Sequence, residues 1–230
     1  MSVSSESSYS DLVISEWSDD DSTTRSFRMD ERQIELRDLP AGAYLVHATN
    51  CLGVWGAGVA AAIRDVFPGA YARYLEHCSS FTPRAEDGGY ASRDLAGRCL
   101  VIPPQPGDVA GVSVVCLFTS YGYGVKSASS PGRDRRPFIK EQTGRALREF
   151  REQITGASAG GRGHNEDGSE GGEGDAGNDE QEQEQETLQI FSPRFNSGFF
   201  RVAWGQTVKV ETVFEDCHAM WTVLMPPEST

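Results

Sequence analysis

The sequence predicts a single α/β domain built in three layers. Its candidate strands are apolar on both faces, and helical patterns lie between them. Its 230 residues suffice for one domain of ordinary size and not for two generous ones. One strand candidate is Ala43 to Ala48, a largely apolar run. Val59 to His77 has helical spacing through Ile63, Val66, Phe67, Tyr71, Tyr74 and Leu75, with Pro68 opening a second helix. Arg98 to Ile102 and Val112 to Phe118 are rich in β-branched residues and read as strands. Phe138 to Ile154 places Ile139, Thr143, Leu147, Phe150 and Ile154 on one helical face. A strand at Leu188 to Phe191, a helix from about Gln206 to Asp216 and a strand at Trp221 to Leu224 complete the pattern.

Charge is unevenly distributed. The formal net charge is −13, yet residues 1–30 carry seven acids against two bases and residues 156–187 carry ten acids against one. The rest of the chain is nearly neutral, which excludes a general basic nucleic-acid binder: it has no excess of Lys and Arg to release phosphate counterions. Residues 1–30 read as a disordered Ser- and acid-rich leader, and 31–230 as the domain. Residues 156–187, with nine glycines among 32 residues, cannot offset their ordering entropy by burial. They read as a disordered insert, because the piece after them is too short to fold alone.

No apolar run approaches 18 residues, and Met1 to Glu6 lacks a basic and an apolar region, so neither a membrane span nor a secretory signal is expected. Five scattered cysteines without CxxC or HExxH suggest reduced core thiols in a cytoplasmic or nuclear protein, with no metal.

The segment densest in chemistry is His47 to Ala60, where a strand ends, a glycine-rich turn follows and a helix begins. Gly56 and Gly58 let a ligand approach the backbone, and free N–H groups at a helix start attract phosphate. His47 and Asn50 stand at the strand end, the edge at which open α/β sheets bind ligands. Ser192 to Trp204 repeats the strand–loop–helix arrangement, and its Asn196-Ser197-Gly198 turn offers a second set of N–H donors. Three other patterns are weaker. Gly56 to Ala61 fits GxGxxA, but the acid expected about 20 residues on falls at Glu76 inside a helical pattern. His77 to Arg84 has HCx5R spacing, yet Cys78 follows a helix and Pro83 removes a donor. Cys51 has no histidine placed as its base and reads as packing.

With both segments read, the chain resembles the macrodomain family, and within it the fungal ADP-ribose 1″-phosphate phosphatases. The matching patterns are N-C-x-G-x-W-G-x-G-[IV]-A after a strand-end His, C-L-F-T-S at Cys116 to Ser120, and P-x-[IF]-N-S-G-x-F-x-V-x-W at Pro193 to Trp204. They cover roughly residues 32–155 and 188–225. The resemblance implies an α/β/α sandwich around a mixed central sheet. It implies that Asp38, flanked by Arg37 and Leu39 after a first strand, bonds the adenine amino group. Ala48, Thr49 and Asn50 would line the site, with Asn50 on the distal ribose. Trp55, Gly56, Ala57, Gly58, Val59 and Ala60 would face the diphosphate from one side. Phe195, Asn196, Ser197, Gly198, Phe199, Phe200 and Arg201 would face it from the other.

His47, with Asn50, is the catalytic candidate: a side chain of pKa near 6.5 can attack phosphorus or protonate the leaving sugar oxygen. Arg201 stands where family members often have glycine. Lys126 resembles the catalytic lysine of related ADP-ribosyl-glutamate hydrolases, whose partner aspartate, expected near Phe200, is absent. The resulting expectation is metal-free phosphate removal from ADP-ribose 1″-phosphate, a by-product of tRNA splicing. The protein is expected to act as a monomer with a small-molecule substrate, no cofactor, and no nucleic-acid or membrane partner. The alternatives are a non-catalytic ADP-ribose reader, an ADP-ribosyl hydrolase needing an acid near the distal ribose, and a dinucleotide-dependent oxidoreductase.

Overall fold

The computed structural model describes residues 27–81, 93–127, 131–160, 187–198, 200–206 and 210–226. Six strands form one sheet: β1 (Arg28–Arg32), β2 (Tyr44–Asn50), β3 (Cys99–Ile102), β4 (Ser113–Ser120), β5 (Leu188–Pro193) and β6 (Ala219–Leu224). Their order is β1-β6-β5-β2-β4-β3. Only β3 runs antiparallel, against β4, so the sheet is mixed.

The central strands β2 and β4 are nearly continuously buried because helices cover both faces. Helices α1 (Gly58–Val66) and α2 (Pro68–Ser80) cover one face, where Leu45, Val114, Cys116 and Phe118 pack with Ile63, Phe67 and Tyr74. Helices α3 (Arg136–Gly160) and α4 (Val210–Phe214) cover the other, where Val46, Val115, Leu117 and Ile190 pack with Leu147, Phe150 and Phe214. Each fully buried Leu, Ile or Phe contributes about 1.5–3 kcal/mol. The three-layer α/β/α expectation therefore holds.

Four boundaries differ from the sequence reading. The first strand is Arg28–Arg32, so the domain takes in the last residues assigned to the leader. Leu36–Asp38, expected at the end of a strand, is a 3-10 turn against α1. Helix α3 continues through Gly156 to Gly160, five residues into the segment read as an insert. The expected helix at Gln206 to Asp216 is a 3-10 turn, Trp204–Gln206, followed by the short α4. Residues 1–26 and 161–186, which hold most of the two acidic segments, lie outside the described residues. Among the described residues, no helix is long and apolar enough to cross a membrane.

Candidate functional site

Parallel β2, β4 and β5 send their C-terminal ends to one edge of the sheet, and their loops are tied together there. Asn50 closes the first loop. Its Oδ1 accepts from the N–H of Leu52 at 2.9 Å, and its Nδ2 donates to the carbonyl of Val54 at 2.6 Å. Tyr74 donates its hydroxyl to the carbonyl of Asn50 at 2.6 Å. The polar atoms expected to hold a ribose thus shape the turn instead, because the side chain is buried and points into its own loop. The Cys51 N–H donates to the Tyr121 carbonyl at 3.0 Å, joining this loop to the one after β4.

Beyond the turn the chain surfaces. Gly56, Ala57, Gly58 and Val59 are exposed and Ala60 is half-buried. Ala57 caps α1 without a side-chain hydrogen bond, so the first N–H groups of this nine-residue helix face outward uncapped. Trp55 itself is core: its ring stacks on Tyr74 with centroids 4.9 Å apart, and its carbonyl accepts from Arg64.

The second loop follows β5. Asn196 is buried, donating to Thr143 Oγ1 at 2.9 Å and accepting from Thr119 Oγ1 at 2.8 Å. Thr119 lies on β4 and Thr143 on α3, so Asn196 anchors the loop and offers no side-chain atom to a ligand. Phe195 packs edge-on against Trp204 and Phe200 against Ile139, while Ser197, Gly198 and Arg201 are exposed. Space is open above Gly198. Arg201 has φ 55° and Asn196 φ 65°, the left-handed region that favours glycine. Phe199 lies outside the described residues.

Arg37 and Asp38 are exposed on the 3-10 turn beside α1, with Leu39 buried beneath them. Asp38 is therefore solvent-exposed beside α1. Ala48 is half-buried against Phe200 and Val202, and Thr49 is buried, donating to the carbonyl of Leu117.

His47 departs most from expectation. It is fully buried, its ring meeting Trp55 edge-on with centroids 4.5 Å apart. Neither ring nitrogen has a hydrogen-bond partner, and neither does Trp55 Nε1. Burial alone lowers its pKa to about 3, far from the expected value near 6.5. With Trp55 seated on it, burial keeps the imidazole neutral at physiological pH. β2 alternates Leu45, His47 and Thr49 towards one face of the sheet, and that face is roofed by Trp55.

The weaker patterns resolve as structure. Cys78 lies within α2, its thiol pushed up to about 11 by burial, and Glu76 is exposed on the same helix. Cys51 is buried, its thiol raised by desolvation. Among the described residues, no group of three or more His, Cys, Asp or Glu could hold a metal. Asp134 is the acid near the β4 end, and its carboxylate accepts from Arg93, the Tyr121 N–H and Gln142.

A sheet of this order, with a glycine-rich donor loop after β2 and an Asn-Ser-Gly loop after β5, is that of a macrodomain. The macrodomain of Mycobacterium tuberculosis DarG superposes with a TM-score of 0.50 at 15% identity, covering 88% of this chain and all of that one. Sequence relatives are closer. Proteins of Aspergillus clavatus (34% identical, 87% of this chain and 96% of the relative) and Neosartorya fischeri (30%, 86% and 94%) are both named ADP-ribose 1″-phosphate phosphatase. A protein of Aspergillus fumigatus with the same name is 30% identical over 86% of this chain and 94% of its own. The chain belongs to the family of these fungal ADP-ribose 1″-phosphate phosphatases. No protein-family model matches it.

Proposed function

We propose that the protein removes the terminal phosphate from ADP-ribose 1″-phosphate, without a metal ion, in the cleft between the two donor loops. One observation carries this reading: uncapped α1 and the exposed Ser197–Gly198 turn stand at one sheet edge of a chain 34% identical to a relative that bears that name. Helix-start N–H groups hold a diphosphate, and Asp38 accepts from the adenine amino group. His47 acts in its neutral form. A ring nitrogen bonds to phosphorus as the bond from phosphorus to the sugar oxygen breaks. That oxygen takes a proton from water, and a second water hydrolyses the phosphoimidazole. This requires Trp55 to leave its seat on the imidazole. The five buried cysteines, none in a disulfide, suit a reducing cytoplasmic or nuclear setting, and the substrate is a by-product of tRNA splicing.

A second reading, a module that binds ADP-ribose without turnover, is favoured by the full burial of His47. Phosphate release in EDTA separates the two, measured on wild type beside His47→Ala with ADP-ribose affinity determined for both. Turnover lost with affinity kept supports the phosphatase. Affinity without turnover in the wild type leaves only the reader.

A further inference from the structure

A pocket of about 490 Å³ opens beside the loop after β4, lined by Gly124, Lys126, Arg133, Asp134, Arg135 and Arg136. Its one acid is already engaged. Asp134 pairs with Arg93 at 3.2 Å and accepts from the Tyr121 N–H at 2.8 Å, while Arg93 also lies over the Tyr121 ring. Four cations remain on a chain whose net charge is −13. The Arg133 guanidinium donates to the Gly124 carbonyl, whereas Lys126, Arg135 and Arg136 make no side-chain hydrogen bond or ion pair among the described residues.

The arginines also stand at the wrong end of a helix. α3 is 25 residues long, begins at Arg136 and has no acid in its first turn. Its N-terminus carries positive partial charge, so these cations repel both one another and the helix dipole. An anion relieves both repulsions at once. The nearest acid along α3, Glu141, lies more than a turn in.

The segments around the pocket are joined to the two donor loops. Phe200 and Val202 of the second donor loop pack on Ile139 in the first turn of α3. The first loop is tied to Tyr121, at the start of the segment that lines the pocket. A ligand with its adenine at Asp38 and its diphosphate between the donor loops would run its far end towards β4 and α3.

We infer that this pocket is the subsite for the terminal phosphate monoester, with Lys126, Arg135 and Arg136 selecting the phosphorylated substrate over ADP-ribose. The inference rests on the phosphatase reading. A phosphate monoester carries close to two negative charges near neutral pH, whereas ADP-ribose presents a neutral hydroxyl there. The cations therefore discriminate substrate from product, and inorganic phosphate is expected to compete for the same place.

The test uses the full chain and the double variant Arg135→Gln/Arg136→Gln, with Lys126→Gln on its own as a second probe. Binding of ADP-ribose 1″-phosphate is read as KM and that of ADP-ribose as a dissociation constant by calorimetry, together with inhibition by inorganic phosphate. The double variant should bind the phosphorylated ligand at least tenfold more weakly, keep ADP-ribose affinity within twofold, and lose phosphate inhibition. Lys126→Gln should show the same selective loss in smaller degree. Unchanged affinity for both ligands, or equal weakening of both in both variants, would overturn the subsite. A wild type that binds neither ligand would remove the phosphatase reading itself, and the subsite with it.

Discussion

Arg201 holds a left-handed conformation at φ 55°, which costs an L-residue about 1–2 kcal/mol. Arg201→Gly should therefore raise stability by about 0.5–1 kcal/mol after the greater freedom of glycine in the unfolded chain is subtracted. The urea midpoint checks this, and Arg201→Val should move it the other way. Asn196 is the opposite case. Asn196→Ala leaves Thr119 and Thr143 without their buried partner and should cost about 2 kcal/mol, seen in the same unfolding curves. His47 titrates at about 3 in the fold and about 6.5 when unfolded, so the unfolded chain binds the extra proton. Its contribution to stability is complete above pH 6.5 and declines as the pH falls towards 3, by up to about 1.4 kcal/mol per unit. Unfolding of wild type and His47→Leu between pH 7 and pH 4 should show a shallower slope in the variant. The motif residues themselves were legible in the sequence, but their roles were only partly so. A motif says that Asn50 and Asn196 matter, whereas only packing shows that their polar atoms point inward. The burial of His47 was hidden because Trp55, which roofs it, arrives from the next loop.

The elements legible in the sequence were those whose patterns reflect burial. β2 and β4 are apolar on both faces because helices cover both, and Pro68 marks the start of α2. β1 was illegible for the converse reason. Its sequence is Arg-Met-Asp-Glu-Arg, it lies at the sheet edge, and its pairing with β6 is made by the backbone. Arg194 adds an ion pair to Glu31 at 2.9 Å. The start of α2 was likewise capped from a distance. Asp108 accepts from the N–H groups of Gly69 at 2.7 Å and Ala70 at 2.9 Å, a role no local capping pattern announces. Asp108→Ala should cost about 1–2 kcal/mol, read as a lower denaturant midpoint with unchanged slope.

At the scale of the whole molecule, charge is unevenly spread along the sequence. Half of the acids lie in two sequence segments, and uncommitted cations cluster where β4 and α3 meet. If residues 161–186 are an insertion outside the working cleft, replacing them with a short Gly-Ser linker should leave ADP-ribose affinity within twofold. The central claim concerns the bond that is broken, and phosphorus-31 NMR observes it directly. Wild-type chain incubated with ADP-ribose 1″-phosphate in EDTA should convert the monoester resonance to inorganic phosphate while the diphosphate resonances persist as ADP-ribose. A monoester resonance that stays unchanged beside active-protein controls for ADP-ribose binding, or diphosphate resonances that disappear first, would contradict the account.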